Sequence, residues 1–162
     1  MILITGMSGS GKTTYARQYS KSHQIPIFEI DQEVRARACL KYKITQEWVE
    51  QHSYLEMAQF VVDAGKEFAP IILKEMESIN VIIEGVCIYH IDKDVDLSSC
   101  YLFAFPIISF EETNRRRIKR YENLQTPLTP ERIVQIRELY HFEKPLYQHF
   151  LLDRQNEIQM LR

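Results

Sequence analysis

Short apolar runs alternate along this chain with longer stretches whose apolar positions recur at helical spacing. The apolar runs have the length and composition of buried β-strands. They are Ile2–Ile4, Ile25–Ile30, Val81–Ile83 and Tyr101–Phe105, and a further short strand is expected at Ile158–Leu161. Strands that alternate with helices predict an α/β fold, a three-layer, doubly wound parallel sheet with helices on both faces. Because no repeat or linker interrupts the pattern, we expect a single domain over residues 1–162.

Helical patterns fill the segments between these strands. The first helix is expected at Lys12–Ser22, and a long helical region separates the second strand from the third. Pro70 is expected in or near a break in that region, because proline lacks the backbone donor that a helix interior needs. One face of the region is expected to be buried, and it comprises Trp48, Leu55, Ala58 and Val62.

The last third of the chain contains two further predicted helices. A strongly basic helix is expected over Ser109–Glu122, and a turn at residues 125–127 separates it from the next. That next helix is expected to have Thr129 as its N-cap and Pro130 at its first position. Its buried face comprises Ile133, Ile136 and Tyr140.

Composition narrows the class of protein. The 162 residues are 45% hydrophobic and 26% charged, which is typical of a globular protein and excludes collagen-like and disordered chains. The formal net charge of −2 gives no overall attraction to nucleic acids or acidic membranes, so a nucleic-acid partner is not favoured and no membrane partner is expected. The three cysteines are widely spaced, which favours reduced thiols and a cytoplasmic location.

Glycines cluster directly after the first predicted strand. The segment Gly6–Thr13, GMSGSGKT, matches the complete phosphate-binding (Walker A) pattern GxxxxGK[ST]. In such a loop, backbone N–H groups and the following helix N-terminus bind a phosphate, Lys12 reaches the β- and γ-phosphates, and the Thr13 hydroxyl is a ligand for Mg²⁺. We therefore expect ATP and Mg²⁺ here, rather than an ordinary glycine turn. The expected nucleotide-binding residues are Gly6, Met7, Ser8, Gly9, Ser10, Gly11, Lys12, Thr13 and Thr14.

Carboxylates follow the second and third predicted strands. The carboxyl ends of parallel strands face the ligand crevice, so Asp31 and Glu84 are expected there. Asp31 is a candidate catalytic and metal-binding residue, which accepts a proton from an attacking hydroxyl or orients Mg²⁺. Its alternative role is the N-cap of the helix that begins at Gln32. Glu84 is expected to hold a magnesium-bound water or to fix the phosphate loop, with turn capping as its alternative.

The segment Asn114–Arg120 is rich in arginine. On a helix Arg116 and Arg120 share one face, while Arg117 points elsewhere. Phosphoryl transfer needs cations over the γ-phosphate, so Arg116 and Arg120 are candidate catalytic residues on a lid at about residues 109–130. A solvated charged face or a nucleic-acid-binding patch is the alternative. Arg35 is equally well interpreted as a substrate-binding residue or as a surface residue.

With these motifs, the chain resembles the P-loop kinases, the superfamily of nucleoside, nucleotide and small-metabolite kinases. The run Arg116, Arg117, Ile118 and Arg120 is similar to the uridine-kinase-like branch. The segment GSGKTTYARQY and the pair Asp31 and Arg35 are similar to polynucleotide 5′-kinases. The resemblance implies a kinase-type P-loop NTPase fold, with Asp31 activating the acceptor hydroxyl and lid arginines clamping the phosphates.

The expected activity is Mg²⁺-dependent transfer of the γ-phosphoryl group of ATP to a hydroxyl or phosphate of a small molecule that resembles a nucleoside or nucleotide. Two alternatives stay open: a kinase for polynucleotide 5′-hydroxyl ends, and a regulatory module that binds nucleotide without catalysis. The lack of an obvious aromatic platform for bases weighs against the first. Neither the acceptor nor the oligomeric state follows from the sequence.

Overall fold

A computed structural model describes residues 1–123 and 128–161. Its strands form one parallel sheet in the order β2-β3-β1-β4-β5. The fifth strand, expected from the sequence, is present at the edge beside β4. The strands are β1 (Ile2–Thr5), β2 (Ile27–Glu29), β3 (Ile82–Glu84), β4 (Tyr101–Ala104) and β5 (Ile158–Met160).

Helices cover both faces of this sheet, as the alternating pattern predicts. Side chains of successive strand residues point to opposite faces. Leu3 and Ile83 therefore face one core with α2, α4 and α6, while Ile4 and Ile82 face a smaller core with α1. The helices are α1 (Lys12–His23), α2 (Ile30–Tyr42), α3 (Gln46–Gln51), α4 (Tyr54–Glu75), α5 (Phe110–Asn123) and α6 (Pro130–Asp153), and a 3₁₀ helix spans Cys87–His90. The α/β fold class is confirmed.

Two expectations for the long helical region are wrong. Pro70 lies inside α4, because burial of neighbouring residues such as Phe68 and Ala69 holds the helix together across the missing donor. Trp48 does not share a helix with Val62: it belongs to α3, and Ser53 starts α4 with a capping box to Glu56.

The buried face predicted for that region is also only partly correct. Val62 is buried, whereas Leu55 is exposed and Ala58 is half-buried. Leu55, Ala58 and Val62 all lie in α4, and only Trp48 precedes its cap; the buried residues of α4 begin at Val62, so its first two turns lie outside the core.

The start of α6 agrees with its sequence signals. The Thr129 hydroxyl accepts a hydrogen bond from the backbone N–H of Arg132 at 3.3 Å, and Pro130 occupies the first turn. Ile136 and Tyr140 are buried and Ile133 is half-buried. The turn predicted at residues 125–127 lies outside the described residues.

No helix within residues 1–123 and 128–161 is long and apolar enough to span a membrane.

Candidate active site at the phosphate loop

The glycine-rich segment connects β1 to α1, so its backbone lies at the carboxyl end of the central strand of the sheet. Gly9 and Gly11 have φ angles of 85° and 102°, in the left-handed region that glycine adopts without strain. Gly11 is the N-cap of α1, and no acidic residue occupies the first turn of that helix. The positive end of the helix dipole therefore faces the loop. Lys12 is only 9% exposed, and its charge acts on the carboxylates of Glu84 and Glu143.

Glu84 is in direct contact with the loop. It ends β3 opposite Ile4 of β1, and its two carboxylate oxygens lie 3.1 Å and 3.2 Å from the Thr13 hydroxyl, which donates to them. Burial raises the pKa of the Glu84 carboxyl, and the charge of Lys12 and the Thr13 hydrogen bond oppose that rise. The structure thus brings Thr13 and Glu84 together.

Asp31 joins two elements. Its carboxylate accepts hydrogen bonds from the backbone N–H groups of Val86 at 3.0 Å and Cys87 at 2.9 Å, at the start of the 3₁₀ helix. Gly85 makes room for this contact, because a Cβ atom there would lie 2.4 Å from Asp31 Oδ1. The alternative role of Asp31 as an N-cap is wrong: Asp31 is inside α2, whose N-cap position is Glu29.

Two neighbouring arginines of α5 lie against the loop. Arg116 donates from Nη1 to the Ser10 carbonyl oxygen at 2.6 Å, and its Nε donates to the Glu112 carboxylate at 2.6 Å. Arg117 Nε lies 3.6 Å from the position that a Cβ atom on Gly9 would take. The expectation that Arg117 points away from Arg116 is therefore wrong: both follow Thr113, by three and four residues, and this face of α5 lies against the loop.

The remaining basic candidates are more peripheral. Arg120 is exposed on α5. Arg35 is exposed on α2, and its charge opposes the rise that burial causes in the pKa of the Cys87 thiol.

Glu112 holds Arg115 as well as Arg116, and these hydrogen bonds lower the pKa of its carboxyl to about 2. Residues 124–127 of the predicted lid lie outside the described residues.

Glu143 is a site residue that the sequence analysis missed. It is buried on α6, and its carboxylate accepts hydrogen bonds from the Ser8 backbone N–H at 3.0 Å and the Ser8 hydroxyl at 2.6 Å. The available signal was its spacing: Glu143 follows Ile136 by seven positions and Tyr140 by three, which places a carboxylate on the apolar face of the helix.

The oxygen atoms at this edge fit a magnesium ion. Mg²⁺ prefers hard oxygen ligands, and proteins usually hold it with one or two carboxylates together with substrate phosphates. The Thr13 hydroxyl and the Glu84 carboxylate are adjacent oxygen donors of this kind. Asp31 is close enough for its charge to raise the pKa of Glu84.

Sequence similarity to known proteins is limited to a short segment of the chain. No known protein family matches the chain. Over 41 residues the chain is 42% identical to a shikimate kinase of Aromatoleum aromaticum, a match that covers 25% of this chain and 23% of that protein. The chain thus spans about a quarter of the length of the curated relative that it matches.

Solved structures resemble the whole chain. A deoxyadenosine kinase from M. mycoides, solved with dCMP and a flexible dCDP bound, has a TM-score of 0.52 at 16% identity, and the match covers 100% of this chain and 90% of that one. A shikimate kinase from Acinetobacter baumannii in complex with shikimate has a TM-score of 0.49 at 18% identity, over 92% of this chain and 78% of that one. This chain therefore has the α/β fold of the deoxyadenosine kinase.

Proposed function

We propose that this chain is an ATP-dependent kinase that transfers the γ-phosphoryl group to a hydroxyl or phosphate of a small acceptor resembling a nucleoside or nucleotide, with Mg²⁺. The observation that carries the proposal is the contact of Thr13, in a complete phosphate loop, with Glu84 at the end of the neighbouring strand. That contact assembles a cationic loop and acidic oxygens at one point of the sheet edge. Phosphoryl transfer needs both there, because catalysis of this reaction is mostly positioning and electrostatic stabilisation.

The phosphate end of the nucleotide would lie on residues 6–14. Backbone N–H groups and the α1 N-terminus bind the β-phosphate. Lys12 interacts with the γ-phosphate, and this interaction becomes stronger as the phosphoryl group is transferred. Thr13 and Glu84, with Asp31 as a third oxygen donor, would hold Mg²⁺, which supplies charge neutralisation at the phosphates. Arg116 and Arg120 would clamp the γ-phosphate from the lid, where a planar guanidinium makes paired hydrogen bonds to phosphate oxygens.

Asp31 is the proposed general base. Each of its oxygens accepts one backbone N–H and keeps a second lone pair for an acceptor hydroxyl. The hydroxyl proton moves to Asp31 while the new P–O bond forms, and the bond from the γ-phosphorus to the β–γ bridging oxygen breaks as ADP leaves. Arg35, which lies on the same helix as Asp31, is the proposed contact for an anionic group of the acceptor.

Two sequence similarities favour two different classes of acceptor. The run Arg116, Arg117, Ile118 and Arg120 is similar to the uridine-kinase-like branch, which favours a nucleoside. The local identity to a shikimate kinase favours a second candidate, a small hydroxylated carboxylic acid such as shikimate. A kinase for polynucleotide 5′-hydroxyl ends stays a third acceptor for the test. The widely spaced, free thiols Cys39, Cys87 and Cys100 support a cytoplasmic location as part of this proposal.

A transfer assay with γ-labelled ATP decides among these acceptors. The panel contains nucleosides, nucleoside monophosphates, shikimate and oligonucleotides with a free 5′-hydroxyl, each with the unaltered chain and with Lys12→Ala. Transfer to a nucleoside or nucleotide that Lys12→Ala abolishes supports the proposal. Tight ATP binding with no transfer to any acceptor would favour a regulatory module instead.

A further inference from the structure

A buried carboxylate on α6 is hydrogen-bonded to the phosphate loop. Glu143 is 6% exposed, and it accepts from both donors of Ser8, the backbone N–H and the hydroxyl. Ser8 immediately precedes Gly9, the first residue of the loop with a positive φ angle. The contact joins positions 135 residues apart in the chain, so it is a tertiary contact that α6 makes with the loop.

The surroundings of Glu143 hold it in place. On the same helix, the Tyr140 hydroxyl donates to the Ile108 carbonyl oxygen at 2.8 Å, and the Tyr147 hydroxyl donates to that of Phe105 at 2.6 Å. These hydrogen bonds lie one turn to either side of Glu143. Together with buried apolar residues of α6 such as Ile136 and Phe150 they hold the helix in place, so the loss of one of them leaves α6 anchored. Glu143 therefore reaches Ser8 from a fixed backbone.

A negative charge in this place needs a reason, because the loop binds an anion. Burial raises the pKa of the Glu143 carboxyl, and the Ser8 hydrogen bonds and the charges of Arg117 and Lys12 oppose that rise. A carboxylate that merely filled space here would lose hydration for no gain, whereas an apolar side chain would pack without that loss. Its hydrogen bonds to Ser8 are the gain that the structure shows.

We propose that Glu143 is a positioning residue, which holds Ser8 and so fixes the first half of the phosphate loop in the conformation that receives phosphate. This inference deepens the proposed function, since it assigns a second element, α6, to the nucleotide site. The physical basis is preorganisation: a loop already held by two charge-assisted hydrogen bonds loses less conformational freedom when it binds nucleotide.

Three substitutions separate the hydrogen bonds from the bulk of the side chain. Glu143→Ala removes both acceptors. Glu143→Gln keeps the shape: its amide oxygen accepts from the Ser8 N–H, and its amide nitrogen donates to the Ser8 hydroxyl. Ser8→Ala keeps Glu143 and one hydrogen bond. The matched control is Tyr140→Phe, which removes a buried hydrogen bond of the same helix whose acceptor, the Ile108 carbonyl, is outside the loop.

The first measurement is amide hydrogen exchange at Ser8 without nucleotide. A lost hydrogen bond to a carboxylate should speed exchange at that amide by about tenfold in Glu143→Ala. Glu143→Gln and Tyr140→Phe should stay within about threefold of the unaltered chain. Should Glu143→Ala fail to fold, Ser8→Ala replaces it and is compared with Tyr140→Phe. In Ser8→Ala the amide at position 8 still donates to Glu143, but the hydrogen bond from the hydroxyl is lost. Exchange at position 8 should therefore be faster than in Tyr140→Phe.

The second measurement is the affinity for a non-hydrolysable ATP analogue with Mg²⁺. We expect Glu143→Ala to weaken binding by about tenfold, with Glu143→Gln restoring it and Tyr140→Phe leaving it unchanged while lowering thermal stability. Unchanged exchange and unchanged affinity in a folded Glu143→Ala protein would overturn the proposal. A failure of the unaltered chain to bind the analogue would count against the kinase function alone, because the exchange measurement still decides the role of Glu143.

Discussion

The Thr13 hydroxyl donates to the Glu84 carboxylate, with 3.1 Å and 3.2 Å from Oγ1 to the two carboxylate oxygens. Thr13 lies in the first turn of α1 and Glu84 ends β3, so this contact links the phosphate loop to the strand beside it. Glu84 is 5% exposed, and burial keeps its pKa above the ordinary value. A buried carboxylate beside the loop is therefore part of the site's electrostatics and not a surface acid.

Glu84→Gln tests that contribution. The amide keeps the shape and still accepts from Thr13, but it removes the negative charge. We expect phosphoryl transfer to fall by about 100-fold, the scale of losing one electrostatic contribution to a transition state. The melting temperature should be unchanged or raised, because the buried charge is gone. The control is Glu29→Gln, at the end of the adjacent β2, which should retain transfer. Equal turnover in both variants would contradict the assignment.

Lys12→Ala tests the loop itself. The Lys12 ammonium interacts more strongly with the phosphoryl group in the transition state than in the ground state. In Lys12→Ala, kcat should therefore fall by about 100-fold or more, while ATP affinity falls less. The measurement is kcat and KM for ATP by steady-state assay. Lys21→Ala, an exposed lysine in the last turn of the same helix, is the control and should be neutral. Near-native turnover in Lys12→Ala would remove the loop from the mechanism.

Asp31→Asn separates proton acceptance from the hydrogen bonds that Asp31 accepts from the start of the 3₁₀ helix. Asparagine keeps the shape but accepts no proton, so transfer should be nearly abolished while ATP affinity is spared. One of the two backbone N–H groups of Val86 and Cys87 also loses its acceptor, so stability should fall by about 1–2 kcal/mol. Transfer and thermal unfolding are measured together, with exposed Asp94→Asn as the control. A stability loss with unchanged transfer would leave Asp31 only the role of accepting the backbone N–H groups of Val86 and Cys87.

The parallel sheet explains why part of this site could be predicted. Asp31 and Glu84 follow or end predicted strands, and the carboxyl ends of parallel strands lie at the same edge of a sheet whatever the strand order. Their common location could therefore be predicted. The motif itself includes Thr13, so sequence alone could place it beside that edge.

Other features depend on tertiary packing and could not be predicted in the same way. Glu143 meets Ser8 only because α6 docks on the segment after β4, and no local spacing encodes that distance. Arg117 reaches the loop because it lies four residues after Thr113 on one face of α5, and that face packs against Gly9. Pro70 stays helical because its neighbours are buried, which overrides a local propensity.

Helix α5, which carries Arg115, Arg116, Arg117 and Arg120, is expected to behave as a lid. Nucleotide and Mg²⁺ relieve the repulsion among its arginines, so amides of residues 109–123 and 128–130 should exchange more slowly with a non-hydrolysable ATP analogue than without it. Arg116→Lys and Arg120→Lys should lower turnover about tenfold or more, because lysine lacks the planar fork. Arg115→Lys, whose partner is Glu112, is the control. Unchanged exchange with active lysine variants would make this helix a solvated basic surface.

His90 predicts the pH dependence of stability. It is 6% exposed on the 3₁₀ helix, and burial lowers its pKa from 6.5 to about 4. The charges of Asp31 and Asp63 oppose that shift, and the charge of Lys66 adds to it. Between pH 6.5 and pH 4 the unfolded chain therefore binds a proton that the folded chain does not. The contribution of His90 to stability is full above pH 6.5, and it falls by about 3 kcal/mol as the pH drops to 4.

The test compares urea unfolding at pH 7, 5.5 and 4.5 for the unaltered chain, His90→Asn and His149→Asn. His90→Asn should be less stable at pH 7, since it leaves space against Gly65, whose added Cβ would lie 2.8 Å from His90 Nδ1. Its stability should nevertheless fall less on acidification, because the proton-linked loss is gone. His149 is exposed on α6, so its variant should keep the full dependence. Buried carboxyls with raised pKa, such as Glu84 and Glu143, are the same in all three proteins and cancel in the comparison. Parallel pH profiles for the unaltered chain and His90→Asn would show that His90 is not the group that titrates.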